Sequence, residues 1–202
     1  MLIHKMLKIL ILAAVSLGFS VNAAEKPKEL LGKPFPKVRL ALNWKPEPQF
    51  GGFYEAARNE SFIKAPFQLE ILPGGSGTPT VQMLAAGKVE YAIVSADELI
   101  IAHDRGSKDL VAVFASYQTN PQGLMVRAGE GDKTLKSYLQ SSGYSLLWQS
   151  GLPYALFLSK KLGPVKAKVA PYSGGISYFQ QDQKVIQQCF LTSEPLSAKK
   201  AG

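Results

Sequence analysis

Residues 38–53, VRLALNWKPEPQFGGF, decide the reading of this chain. Positions 38–42 form a short apolar run broken only by Arg39, which predicts a buried strand. Asn43-Trp44-Lys45-Pro46-Glu47-Pro48 follows, and its two prolines forbid continued regular pairing. A helix is expected to start near Gly51-Gly52 and run through Arg58. A strand that enters a helix through a loop bearing a large aromatic is how an open α/β sheet builds a binding site, outside the carboxyl ends of its strands. Trp44 stands at that end. A core position is the competing reading, since tryptophan is highly buried on average. The polar and proline neighbours favour a cleft, where the indole offers a flat face to a ring.

Downstream the same alternation continues. A second strand over 67–72 (FQLEIL) breaks into PGGSGTP at 73–79, where glycines permit close backbone approach and exposed N–H groups suit an anionic or carbonyl group. No Gly-Lys-Ser/Thr follows, so this is not a P-loop, and a plain tight turn is the competing reading. A helix over 79–86 ends at Gly87, and a third strand covers 91–94. Ser95 and Glu98 have capping-box spacing, while Ser95 and Asp97 would also face the cleft beside Trp44. The apolar run 110–117 predicts a fourth strand. The polar turn 118–122 reads as a crossing, after which the pattern restarts. Strands are expected at 123–127, 144–148, 167–170 and 187–191, with helices over 151–162, over 176–185 and from 192 onward. The fold class is α/β, with two units each built on a mostly parallel sheet flanked by helices.

Composition narrows the function. The chain has 202 residues, 46% apolar and 19% charged, with a formal net charge of +8 that is spread rather than clustered. No basic run tracks a phosphate backbone, which excludes nucleic acid as a partner. Cys189 is the single cysteine and reads as a small buried hydrophobe, so no internal disulfide or multi-thiolate site can form. His4 and His103 are the only histidines, and His103 is expected on a solvated helix face beside Asp104 and Arg105. Glu47 is read as a solvated loop carboxylate. Residues 1–24, with His4, Lys5 and Lys8 ahead of an apolar stretch and Val21-Asn22-Ala23 at the cleavage positions, read as a secretory signal. No cysteine follows it to carry a lipid.

VRLALNWKPEPQFGGFYEA, LEILPGGSGTPTVQMLAAGKVEYAIVSADELI and LTSEPLSAKKAG together resemble the periplasmic substrate-binding proteins of ABC importers, in the branch of thiamin-pyrimidine binders related to sulfonate binders. The resemblance implies a type II periplasmic-binding-protein-like fold, with a first lobe over 37–122 and a hinge strand and partial second lobe over 123–202. It implies a small ligand closed between the lobes, delivery to an inner-membrane permease, and a periplasmic location. It also implies site roles. Trp44 stacks on a planar ring and Asn43 is a ligand-binding position beside it; Gly75, Ser76 and Gly77 donate hydrogen bonds; Ser95 and Asp97 contact the ligand from the third loop; Gln122 and Glu194 approach from the hinge and the second lobe. Where the pyrimidine binders tend to carry an Asp before the Trp and an Asn and a His after it, this chain holds Asn43, Glu47 and Phe50. Members of the family continue further, so the chain reads as shortened at its carboxyl end. A pyrimidine, a flavin-like ring, a sulfonate or another small solute all fit the pattern, with no cofactor and no metal. Two other readings compete: a ligand-sensing module serving a separate receptor, and an enzyme like the yeast pyrimidine synthases. The single cysteine, the leader and the missing loop histidine argue against the enzyme.

Overall fold

The computed structural model describes residues 29–30, 33–59, 65–129 and 133–202, so residues 1–24, read above as a secretory signal, lie outside the described residues. A two-stranded antiparallel ribbon, β1 (Glu29–Leu30) with β2 (Lys33–Pro34), precedes the main body. The first main strand, β3 (Lys37–Ala41), is central to a parallel sheet of order β4-β3-β5, flanked by β4 (Gln68–Leu72) and β5 (Tyr91–Ala92). A 3-10 turn, Pro48–Phe50, leads into α1 (Gly51–Arg58), and α2 (Thr80–Ala85) and α3 (Ala96–Asp104) complete this half. Proline is tolerated in a first helical turn because its missing N–H would be unpaired there anyway.

The second sheet has order β6-β9-β7-β8. Its strands are β6 (Gln122–Met125), β7 (Ser145–Trp148), β8 (Lys168–Pro171) and β9 (Val185–Phe190). Pairing is parallel except for β6 against β9. Four helices accompany it: α4 (Leu135–Leu139), α5 (Pro153–Leu162), α6 (Ser177–Gln181) and α7 (Glu194–Lys200). These are two mostly parallel sheets flanked by helices, consistent with the type II periplasmic-binding-protein-like class.

Side-chain alternation explains the core. In β7 and β9 both faces are covered, as parallel strands require. Leu146, Trp148 and Ile186 join a cluster under α4 and α5, whereas Leu147 and Val185 join another that also contains Leu40, Leu42, Trp44 and Phe50. Leu40, Leu42 and Trp44 recur at every second position, so one face of the first sheet continues into the loop. The two sheets therefore share one apolar cluster.

Three expectations are corrected. The run 110–117 forms no strand: Leu110 is buried, but Val111, Val113 and Phe114 are at least 65% exposed. β-propensity is the capacity to fit a pleated, half-buried surface, and among the described residues no strand edge meets this run. His103 is half-buried rather than solvated, its Nε2 2.6 Å from the Leu110 carbonyl oxygen. The helix expected over 176–185 spans only Ser177–Gln181, and Val185 already opens β9; α4 is a helix the sequence reading does not contain, and Thr134 caps it by accepting from the Ser137 N–H at 3.2 Å. Cys189, in contrast, is buried as read, and desolvation pushes its thiol up to about 11.

Gly74 is fixed by packing. A Cβ there would lie 2.1 Å from the Leu42 carbonyl oxygen, and its N–H donates to the Trp44 carbonyl at 3.1 Å. The glycine run thus lets the second loop lie against the first strand's end. Gly74→Ala is expected to cost roughly 1–3 kcal/mol through backbone displacement. Gly75→Ala, whose Cβ meets nothing within 4 Å, serves as the control. Parallel thermal melts check this, and equal midpoints for the two variants would refute it.

Arg39 ties β3 to the segment before β5. Its Nη2 donates to Glu90 Oε1 at 2.7 Å and its backbone N–H to Oε2 at 2.7 Å. These hydrogen bonds hold the Glu90 carboxyl down to about 2, from an ordinary 4.5. A carboxyl depressed in the folded state adds stability that is complete above its unfolded value and is lost as pH falls toward its folded one. Glu90→Gln is therefore expected to lose less of its melting midpoint between pH 5 and pH 2.5 than the parent chain. Circular-dichroism melts across that range test it, and identical slopes would contradict it.

Candidate functional site

The carboxyl ends of β3 and β8 meet face to face. Trp44, just beyond β3, stacks on Tyr172, just beyond β8, with ring centroids 5.6 Å apart and planes 12° from parallel. Both rings are buried. Parallel strands place their following loops at the same end of a sheet, and two sheets facing end to end bring those loops together. Lys45 Nζ donates to the Ser173 carbonyl at 2.6 Å, a second tie across the same seam.

A carboxylate stands behind each ring. Trp44 Nε1 donates to Glu47 Oε1 at 3.1 Å and Gln49 Nε2 to Glu47 Oε2 at 3.2 Å. Glu47 is thus half-buried and engaged, not the solvated carboxylate expected. Tyr172 donates its hydroxyl to Glu194 Oε1, and the Phe190 N–H donates to Glu194 Oε2 at 2.8 Å. Glu194 is 3% exposed, so both of its oxygens are satisfied where water cannot serve. Burial first, then the Glu194 hydrogen bond and charge, push the Tyr172 hydroxyl well above its ordinary value.

Beside the stack lies a cavity of about 470 Å³. Ser76 and Gly77 form one wall, Trp148 and Gln149 another, and Val169 and Tyr172 close it toward the second sheet. Gln149 reaches across to Ser76 Oγ at 3.5 Å. It is itself held by Gln188, whose Nε2 donates to Gln149 Oε1 and whose Oε1 accepts from the Gln149 N–H, both at 2.9 Å.

The expected site residues are distributed unevenly. Ser76 and Gly77 line the cavity, Trp44 packs on its Tyr172 wall, and Glu194 anchors that wall. Asn43 is half-buried beside Trp44. Gly75 turns its N–H onto Thr78 Oγ1 at 2.7 Å. Ser95 gives both its N–H and its hydroxyl to Glu98, at 2.9 and 2.7 Å, in a capping box. Asp97 lies in the first turn of α3, and Gln122 opens β6 opposite Phe190. None of these last four lines the cavity. Tyr172 and Trp148 were missed. The rule that selected Trp44, an aromatic at the carboxyl end of a parallel strand, applies equally to both.

The stack also sets a condition on any ring ligand. Stacked rings lie about 3.5–4 Å apart in plane spacing, so a third ring between Trp44 and Tyr172 needs about twice that room. At a centroid distance of 5.6 Å, Tyr172 occupies the face of Trp44 that such a ligand would take.

No curated protein matches the chain. Residues 47–139 match the family model described as NMT1/THI5 like, a family of substrate-binding proteins of ABC transporters.

Proposed function

We propose that the chain is the solute-binding component of an ABC importer. In this reading it is exported by residues 1–24, captures a small flat ligand between lobes spanning 37–122 and 123–202, and delivers it to a permease. One observation carries the reading: two aromatic rings from separate sheets meet at the carboxyl ends of their strands, beside a cavity of about 470 Å³. The family match over residues 47–139 supports it. With Tyr172 displaced from its face, Trp44 serves with Tyr172 as the ring platform, and Glu47 and Glu194 fix the two rings from behind. Ser76 and Gly77 supply donors from the first lobe. Asn43, Gly75, Ser95, Asp97 and Gln122 remain proposed contacts of an opened form. Capture relies on stacking, a few oriented hydrogen bonds and the exclusion of water.

Thermal unfolding of the purified chain with pyrimidines, flavins, sulfonates and polyamines tests this role. A ligand that binds only the folded form, at a hundred times its dissociation constant, adds about 2.7 kcal/mol of stability. The expected result is a raised midpoint with one chemical class, lost in Trp44→Ala. A midpoint unmoved by the whole panel would overturn the proposal.

A further inference from the structure

Charge is spread along the sequence but not over the fold. Residues 37–122 carry eight basic and nine acidic side chains, whereas residues 123–202 carry ten and four. Residues 133–193 hold seven lysines, no arginine and one acidic residue, Asp182. The topology gathers those lysines. β7 runs parallel to β8 and β9, so the segments that enter the three strands share one end of the sheet. Lys168 opens β8, and its N–H donates to the carbonyl of Tyr144 just before β7 at 2.8 Å. The carbonyl of Lys184, just before β9, accepts from the Ser145 N–H at 2.8 Å. Lys133 Nζ and Lys184 Nζ lie 5.2 and 5.3 Å from the centroid of the Tyr144 ring.

Two helices finish at the same end. A helix that crosses back between parallel strands ends where the next strand begins, so Lys160 and Lys161 close α5 near the start of β8. The Leu139 carbonyl, at the close of α4, accepts from the Lys166 N–H at 2.8 Å, and Gln140 Nε2 donates to the Leu162 carbonyl at 2.8 Å. Lys136 lies one turn back on α4. All seven lysines are exposed. Among the described residues, no carboxylate pairs with Lys136, Lys160, Lys161, Lys166 or Lys168; Glu130 and Asp132 lie outside the described residues. The Trp44–Tyr172 seam and the cavity stand at the carboxyl ends of these strands, the opposite end of the sheet.

Apolar side chains are interleaved with the charge. Leu156 and Phe157 are 60% and 62% exposed, each four residues before Lys160 and Lys161, while Ala155 and Leu158 turn the other face of α5 into the core. Leu135 is exposed beside Lys136. Lysines around exposed apolar side chains suit the headgroup layer of a membrane, where the stems and apolar groups sink in and the ammonium groups meet anionic lipid. The absence of arginine separates this from a protein partner. Arginine's planar fork suits fixed carboxylates at an interface, whereas lysine is a mobile point charge. Mobile charges spread over several segments match a fluid surface of negative headgroups.

We infer that this lysine-rich end of the second sheet, with the outer face of α5, is a peripheral docking surface for an anionic lipid membrane. The lysines draw the chain to the headgroups, and Leu156 and Phe157 enter the interface. The inference goes beyond the solute-binding reading and does not rest on it, since the surface leaves the seam and the cavity uncovered.

Co-sedimentation of the full purified chain with phosphatidylcholine vesicles, with and without about 30% phosphatidylglycerol, tests the assignment. At about 0.1 M salt the anionic vesicles are expected to bind at least ten-fold more chain than the neutral ones, and at about 0.5 M salt most of that difference is lost. Joint Lys160→Gln and Lys161→Gln substitution is expected to weaken binding roughly ten- to thirty-fold, because each lysine near such a surface contributes about five-fold. Phe157→Ser is expected to weaken it roughly three- to ten-fold. Joint Lys88→Gln and Lys108→Gln substitution removes the same charge from exposed positions of the first unit and is expected to leave binding within about two-fold. These side chains are all exposed, so unchanged melts are expected alongside. Equal sedimentation with both kinds of vesicle, or equal loss in the two lysine pairs, would overturn the assignment. Binding to soluble polyglutamate with none to the vesicles would overturn it in favour of an acidic protein partner. Trp44→Ala is expected to sediment like the parent chain, which keeps the failure of this surface distinct from the failure of solute binding.

Discussion

The contact between the two sheets is the constraint on which this molecule turns. Leu40, Leu42, Trp44 and Phe50 from one half and Leu147, Tyr172, Phe179 and Val185 from the other form a single buried cluster. Each sheet would otherwise expose an apolar strip at its carboxyl end, where parallel sheets place ligand loops. Joining the strips removes that surface from water, and each fully buried large side chain is worth roughly 1.5–3 kcal/mol. The same contact brings Ser76 opposite Gln149 and so defines the cavity.

Polar groups around this apolar seam give it direction. Glu47 and Glu194 stand behind Trp44 and Tyr172, and each carboxylate accepts from its ring and from one further donor. Removing either ring's donor would leave a partly buried carboxylate oxygen short of a partner, which costs more than the net value of the bond itself. The rings are thereby fixed in tilt as well as position. Gly74 performs the corresponding task for the backbone, since only a residue without a Cβ fits against the Leu42 carbonyl. Aromatic faces, carboxylates and a glycine contact converge on one end of β3.

Much of this was legible in the sequence because it is local. The strand over 38–42, the proline loop, the glycine run and the Ser95–Glu98 cap are written in neighbouring residues, and each formed within a residue or two of its expected place. What failed was non-local. The 110–117 run has strand propensity but, among the described residues, no partner edge, and periodicity carries no information about partners. Glu47 looks solvated until Trp44 and Gln49 fold onto it. Tyr172 was visible as an aromatic after a strand. Its pairing with Trp44, 128 positions earlier, depends on how the two sheets face each other. The cavity was half legible: the glycine run marked one wall, but the segment before α5 that forms another comes from the other sheet.

The closed stack has an energetic consequence for binding. A ring that takes the inner face of Trp44 must first displace Tyr172, and an aromatic pair is worth about 0.5–1.5 kcal/mol beyond the area it buries. The Lys45–Ser173 tie is lost in the same motion. Apparent affinity then falls by the fraction of molecules that are open, so each 1.4 kcal/mol favouring the stack weakens binding ten-fold. A ligand recovers this cost by making contacts that the closed chain leaves unmade. The seam itself offers few, because Glu47, Glu194, Trp44 and Tyr172 already satisfy one another. The adjoining cavity, lined by Ser76, Gly77, Gln149 and Ser150, is where further contacts can be made. A flat molecule that left the cavity empty would exchange one stack for another at little net gain. A flat molecule that also reaches into the cavity regains the stack and adds contacts there, so discrimination lies in the cavity rather than on the aromatic platform.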